Sequence, residues 1–373
     1  MPDHDVVVVG GGPVGLLFAC LVAQDGWRVR VYEQRTEPGG RTRAIGIHRP
    51  GLDALDAAGV GAEVRGEALR LSGGEVRSRG RRLASLTFTP DRPILTLPQP
   101  RTEELLRDRL RGLCGDALQL GSIVRTVRDD GPVVRVGVEG PDGRREETAA
   151  LVAVADGVHS SLRRAFGVEW VRRPGRARYA MLDVEASTMD DRAVLYFEPD
   201  GLVESFPLPG GHRRWVVREP PGRSVETGAE LAAIVAARTG ERVTTDPGVP
   251  VSSFLASQHV ARRLHRGRVV LLGDAAHEVS PIGGQGMNLG WAHALRLTAA
   301  LRGTEAGEVP DLDAFAQRAR ASAALAHRRS AFFMAMGAPA PPPVVAGRES
   351  VVRLLGSPPL RRWTTGLITM RGL

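Results

Sequence analysis

Six residues near the N-terminus, Gly10-Gly11-Gly12-Pro13-Val14-Gly15, carry the spacing G-x-G-x-x-G. They follow an apolar run that starts at Asp5 and includes four consecutive valines. They open an apolar stretch from Pro13 to Gln24, which Gly26 ends. Strand, glycine turn and helix form the context in which this pattern means a dinucleotide site. The glycines allow a tight turn and close backbone approach, and the helix N-terminus offers free N–H groups to a pyrophosphate. A second strand, Arg28–Glu33, ends on an acid. Glu33 can accept hydrogen bonds from both ribose hydroxyls of an adenosine. Gly10, Gly12, Pro13, Val14, Gly15 and Glu33, with Gln34 and Arg35 behind them, are the candidate nucleotide-binding residues. The motif by itself does not separate one dinucleotide from another.

A second constellation lies far along the chain. Gly273-Asp274-Ala275-Ala276-His277 follows the apolar run Val269–Leu272, and Pro281-Ile282-Gly283-Gly284-Gln285-Gly286-Met287-Asn288 leads into an apolar helix to about Leu301. This stretch resembles the second flavin motif of the FAD-dependent aromatic hydroxylases, the family of para-hydroxybenzoate hydroxylase and the ubiquinone-biosynthesis hydroxylases. The resemblance implies that Asp274 contacts the ribityl chain and that Pro281, Gly284, Gln285 and Gly286 run along the isoalloxazine. The helix opening at Met287 and Asn288 would then aim its N-terminus at the pyrimidine edge. That arrangement is physically apt, because reduced flavin carries negative charge that free helix N–H groups stabilise.

Three smaller matches agree with the same family. Asp156-Gly157-Val158-His159-Ser160-Ser161-Leu162-Arg163 resembles its Asp-Gly-x-x-Ser-x-x-Arg motif, which serves both FAD and the passing nicotinamide nucleotide. Gly40-Arg41-Thr42-Arg43-Ala44 resembles the arginine pair near the FAD pyrophosphate, where a guanidinium fork suits phosphate. Gln99-Pro100-Arg101-Thr102-Glu103-Glu104-Leu105-Leu106 resembles a helix start whose glutamine meets FAD, and Val124 joins the expected cofactor set. One departure stands out: His293 occupies a place where the family usually has Asp, which bears on helix packing or flavin positioning. His277 is expected to be a packed structural histidine.

The resemblance implies a class A, single-component FAD-dependent monooxygenase. In that family NAD(P)H reduces the flavin without a second nucleotide domain, and oxygen then forms a flavin C4a-hydroperoxide that hydroxylates or epoxidises the substrate. No side chain need act as a nucleophile, so no catalytic residue is assigned. Gly46, Ile47, His48 and Pro281 are the pocket candidates beside the ring, with His48 expected to be a pocket or packing histidine. Two other functions stay open: an FAD-containing cyclase or non-redox flavoprotein of a biosynthetic pathway, and a ubiquinone-type lipid hydroxylase. A flavin halogenase is disfavoured by the lack of lysine and of its tryptophan signature.

The elements that must position these residues read as an α/β fold. A Rossmann-like FAD-binding domain is interleaved with an antiparallel β-sheet substrate domain, and the C-terminus is helical. The expected division is 1–70, 99–172 and 260–310 for the FAD domain, 71–98 and 173–259 for the substrate domain, and 311–373 for the C-terminal helices. Tyr179–Glu185, Ala193–Glu198, Leu202–Pro207 and Arg213–Arg218 are the expected strands of the second sheet, with Leu69–Phe88 as another hairpin. Alternation along these strands puts Leu195, Phe197, Val203, Ser205, Trp215 and Val217 in one candidate set facing the flavin. Arg213 and Arg214, beside a Pro-Gly-Gly turn, are expected in solvent. The substrate is therefore expected to be an apolar aromatic or polyene molecule. The C-terminal segment Val351–Leu373 is expected to pack on the FAD domain rather than on a bilayer.

Composition closes off other classes. The chain has no lysine, so all 50 basic residues are arginine, and chemistry that needs a Schiff-base or phosphate-binding lysine is excluded. The net charge of +8 is scattered among acids with few aromatics, which disfavours nucleic-acid binding and suits anionic cofactors. Its two cysteines, Cys20 and Cys114, exclude a disulfide framework and a cysteine metal site. No metal is expected. Without a basic leader or a long apolar run, a cytoplasmic enzyme acting on a small molecule and O2 is expected, as monomer or dimer.

Overall fold

The computed structural model describes residues 1–37, 39, 44–186, 190–302 and 311–372. The four-valine run forms the strand His4–Val9, and its valines are buried on both faces, as the centre of a parallel sheet requires. Val29–Glu33 pairs with it on one side and the end of Gly143–Val154 on the other, both parallel, with Val8 opposite Val31 and Ala153. Val269–Leu271 and Leu118–Leu120 extend this parallel core outward. The helix Pro13–Gln24 packs across it with every residue from Gly15 to Val22 buried. Cys20 lies fully buried there and its thiol meets the Leu106 carbonyl, in keeping with a packing role.

The second sheet has seven strands, running in space Ser252–Ala256, Ala177–Glu185, His212–Arg218, Gly201–Leu208, Arg192–Glu198, Gly73–Ser78 and Arg81–Thr87. All of its pairs are antiparallel except that Gly73–Ser78 joins Arg192–Glu198 in parallel. The expected Leu69–Phe88 hairpin therefore divides. Gly73–Ser78 and Arg81–Thr87 form the hairpin, whereas Leu69–Arg70 pairs with Leu95–Thr96 in a small separate sheet with Gly46–Ile47. One face of the large sheet is closed by the helix Gly228–Thr239, whose Leu231 and Val235 pack on Val203, Trp215 and Val217. Thr227 and Glu230 cap that helix reciprocally, and Gly240 ends it in the left-handed conformation.

The other face of the sheet looks toward the parallel sheet, and the space between the two is the site. The C-terminal part is helical, as expected, over Leu312–Met336, Pro342–Gly356 and Pro358–Ile368. Its last two helices correct part of the sequence expectation. They cover the Arg81–Thr87 edge of the antiparallel sheet, so closely that a Cβ on Gly356 would lie 2.6 Å from the Ala84 Cβ, whereas Met370 just after them packs with Val279 and Leu289 of the expected FAD domain. The proline run places Pro342 and its neighbour in the first turn of a helix, where a missing N–H is harmless.

Candidate functional site

A continuous cavity of about 1060 Å³ runs from the glycine turn to the antiparallel sheet. At its first end, Gly10 has φ of +107°, and a Cβ there would meet the Ala155 carbonyl at 2.4 Å. A Cβ on Gly15 would come within 2.0 Å of the Gly10 carbonyl oxygen. These two glycines make the turn possible by close packing. Gly12 differs: it lines the cavity and a Cβ there would touch nothing within 4 Å, so the space above it is open to a ligand. Gly12 also caps the helix Pro13–Gln24 without a side-chain partner, which leaves that helix's first N–H groups for an anion. Pro13 and Val14 line the same wall, while Gly15 lies beneath it.

Glu33 is buried at the cavity edge. Its Oε2 accepts the Gly11 N–H at 2.7 Å and its Oε1 the Arg35 N–H at 2.9 Å. Burial opposes its charge, but the Arg35 side chain and these N–H groups outweigh that and hold the carboxyl below its ordinary range. The carboxylate is thereby fixed and ionised. Gln34, Arg35, Gln99 and Val124 border the same end, and Gln99 donates to Glu103 at 2.7 Å. Arg41 and Arg43 lie outside the described residues.

Midway, Asp156 and Asp274 line the cavity from the ends of adjacent parallel strands. The Asp156 Oδ1 is buried without a hydrogen-bond partner among the described residues, and burial raises the carboxyl above its usual value despite the nearby Ser160 hydroxyl. Ser160 caps the following short helix by accepting the Arg163 N–H, and Arg163 stacks on Trp170 with its guanidinium 3.6 Å from the ring centre.

The far end is built by the loop Pro281–Gly286. Gly283 and Gly284 have φ of +92° and +66°, which favour glycine, and Pro281, Gly284, Gly286 and Met287 border the cavity. Gln285 and Asn288 do not. Gln285 is wholly buried, with neither amide atom partnered among the described residues. Asn288 is a brace: it donates to the carbonyls of Gly46 and Gly284, each at 2.9 Å, and accepts the His48 N–H. Gly46 and His48 thereby reach the cavity wall, but Ile47 points into the core and is not a pocket residue. Alternation in the short strand sends it the opposite way from its neighbours. His48 is buried, and desolvation takes its imidazole down to about 4, so it is neutral near pH 7.

His277 is indeed a packed histidine. It is fully buried and hydrogen-bonds His293 at 2.8 Å, and His293 in turn meets the Ser322 hydroxyl at 2.7 Å. The unusual His293 therefore ties the loop after Asp274 to the long helix Leu312–Met336.

The antiparallel sheet supplies the opposite wall, and here the register corrects two expectations. Leu195 sits opposite Glu204, and Glu204 opposite Val216. Leu195 and Phe197 do face the cavity, joined by Glu204, Phe206, Arg214 and Val216. Val203, Ser205, Trp215 and Val217 belong to the other face, where they meet the helix Gly228–Thr239 or the sheet's own polar contacts. Arg213 and Arg214 are buried, not solvated. Arg213 donates to the Ser205 hydroxyl on the far face, and Arg214 forms a fork with Asp183 at 2.6 and 2.7 Å on the cavity face. Met181, Phe254 and Phe333 complete an aromatic-rich lining. Sequence reasoning missed Glu204. Its signal was a lone acid inside Gly201–Leu208, an otherwise nearly apolar strand.

The open cradle over Gly12, the fixed Glu33 carboxylate and the orphaned Asp156 oxygen fit an extended dinucleotide such as FAD. Residues 3–330 match the model of a family described as the FAD binding domain. The chain is 32% identical to the 12-dehydrotetracycline 5-monooxygenase/anhydrotetracycline 6-monooxygenase of Streptomyces rimosus, over 98% of this chain and 76% of that protein. Among solved structures, the anhydrotetracycline hydroxylase from Streptomyces rimosus superposes with a TM-score of 0.80 at 30% identity, covering 99% of this chain and 76% of that one. The p-nitrophenol 4-monooxygenase from Pseudomonas putida shares the fold from end to end, with a TM-score of 0.87 at 24% identity and 99% of each chain covered. By its cofactor cradle, its fold and these likenesses, the chain belongs to the class A FAD-dependent aromatic monooxygenases, and it is an FAD-dependent oxidoreductase.

Proposed function

We propose that this enzyme inserts one oxygen atom from O2 into a large, apolar, ring-bearing substrate of the aromatic polyketide kind, with NAD(P)H as electron donor. The observation that carries this reading is the wall facing the Pro281–Gly284 loop. It is built from Leu195, Phe197, Phe206, Val216, Met181 and Phe254, a surface suited to a flat apolar ring system. Arg214 does not call for a carboxylated substrate, because Asp183 already neutralises its guanidinium. The named activities of the relatives, among them anhydrotetracycline monooxygenase and rifampicin monooxygenase, point the same way.

In this reading FAD, when bound, would supply the redox and oxygen-activating chemistry, and the protein's own residues would hold, shield and orient. Gly10, Gly12, Pro13, Val14 and the helix behind them bind the pyrophosphate. Glu33, Gln34, Arg35, Gln99 and Val124 hold the adenosine end. Asp156 and Asp274 bind the middle of the cofactor. The helix opening at Gly286 would offer its N–H groups to an electron-rich edge of the ring. Pro281, Gly46 and neutral His48 would border it, and Phe333 with the C-terminal helices would exclude water from the substrate side.

The functional division at 1–70, 99–172 and 260–310 against 71–98 and 173–259 is part of this proposal, as is a cytoplasmic monomer or dimer. Among the described residues no helix is long and apolar enough to cross a membrane. The test is product analysis under labelled oxygen gas with a panel of polycyclic phenols and small carboxylated phenols. Single-atom incorporation into the polycyclic members supports the proposal, and turnover confined to the small carboxylated phenols refutes it.

A further inference from the structure

The antiparallel sheet presents to the cavity a carboxyl, that of Glu204, that nothing above employs; the other sheet carboxyl on the lining, Glu75, is held by Arg77, Arg82 and Arg192. Glu204 lies mid-strand in Gly201–Leu208, between Leu195 and Val216 on the neighbouring strands, and all three side chains line the cavity. The residue is 3% exposed, and its Oε1 has no hydrogen-bond partner among the described residues. The nearby guanidinium on the same face, that of Arg214, is held by Asp183. Burial alone pushes the Glu204 carboxyl up to about 8. A leucine or methionine would serve an apolar wall at far lower cost, since a buried polar group without a partner loses its hydration for nothing. A polar group so placed within an apolar pocket finds its partner in the ligand.

We propose that Glu204 is a specificity-determining residue of the substrate site, whose carboxyl hydrogen-bonds a ring hydroxyl of the aromatic substrate and so selects which ring edge faces the Pro281–Gly284 loop. The inference rests on the aromatic substrate reading above. In its neutral form the carboxyl has a carbonyl oxygen that accepts a hydroxyl proton and an O–H that donates to a substrate oxygen. Glu204 makes and breaks no covalent bond in this role. Sites built to bind a hydroxyl discriminate strongly against ligands that lack it, because the protein's polar group is then left unpaired.

The test uses the FAD-loaded enzyme at pH 6.5 with two probes, 2-hydroxyanthraquinone and 2-methoxyanthraquinone, titrated by quenching of tryptophan fluorescence. Wild type is expected to bind the hydroxylated ring at least about tenfold more tightly than the methylated one. Glu204→Leu should erase that preference while leaving affinity for the methoxy ring, FAD content and thermal midpoint at or above the wild-type level. Glu204→Gln, which keeps hydrogen-bonding capacity, should retain part of the preference. A wild-type preference that persists in Glu204→Leu overturns the role of Glu204 and leaves the aromatic site standing. A wild-type enzyme that binds neither ring overturns both this inference and the substrate class on which it rests.

Discussion

Asn288 accepts the backbone N–H of His48 at 2.9 Å, joining two residues that lie 240 positions apart in the chain. With its two donated bonds to Gly46 and Gly284, this buried amide pins the pocket-edge strand to the flavin-side loop. Asn288→Ala should leave three backbone groups, one buried and two half-buried, short of a partner and destabilise the enzyme by on the order of 1–3 kcal/mol. The measurable outcome is a lower thermal midpoint and faster FAD loss on dilution. An unchanged midpoint and unchanged retention would show that the brace contributes nothing.

The two kinds of glycine in the first turn should separate experimentally. At Gly15 an added methyl lies 2.0 Å from the Gly10 oxygen, so Gly15→Ala should lower the stability of the protein stripped of FAD. At Gly12 the methyl meets open space in the protein, so Gly12→Ala should leave the stripped protein's midpoint unchanged. It should instead weaken FAD affinity, because the methyl enters the space a pyrophosphate would fill. Equilibrium titration with FAD, alongside melts of the stripped protein, distinguishes the two cases.

Glu33 should make cofactor retention acid-sensitive. Although burial raises its carboxyl, the Arg35 contacts and the Gly11 N–H bring the folded value below the ordinary 4.5. Such a group contributes stability that is fully present above its unfolded value and is lost as pH falls through the lower folded value. FAD release and thermal midpoint, followed from pH 6 down to 3, should show this loss in wild type and a shallower slope in Glu33→Gln. Parallel curves for the two proteins would refute it.

His277 titrates in the opposite setting, with the same direction on the pH scale. Burial first, and His327 nearby, take its imidazole down to about 3 from 6.5. The unfolded chain therefore takes up a proton that the folded chain refuses, and stability present above about 6.5 is lost as pH falls toward 3. His277→Asn should flatten part of the acid limb of the stability curve between about pH 6 and 4. A variant whose acid limb matches wild type would place the proton elsewhere in the His277–His293 pair.

The neutral state of His48 predicts that it adds no limb of its own to the kinetic pH profile near neutrality. With its imidazole taken down to about 4, it cannot be the source of a limb near pH 6.5 in kcat/KM. His48→Asn should leave any such limb in place, and its disappearance in that variant would contradict the buried, neutral assignment.

Much of the cofactor end was legible in the sequence because its determinants are local. A glycine whose Cβ would strike the Ala155 or Gly10 oxygen leaves its mark at one position, and Glu33 stands at the end of its own strand. Strand, turn and helix follow one another along the chain, so spacing alone carries their meaning. The same holds for the Pro281–Gly286 loop, with its two glycines at positive φ.

The substrate wall was decided only in three dimensions. Alternation names two faces for each strand, but which face of Gly201–Leu208 joins which face of His212–Arg218 depends on register. Pairing Leu195 with Glu204 and Val216 turned Trp215 and Val203 away from the cavity and brought Glu204 and Arg214 to it. The burial of Arg214 likewise depends on Asp183 across a strand pair, and the reach of the last two helices on the edge at Ala84. Contacts between residues distant in sequence leave no spacing to read. The chain thus announced its cofactor through local backbone constraints, while tertiary packing chose what the substrate meets.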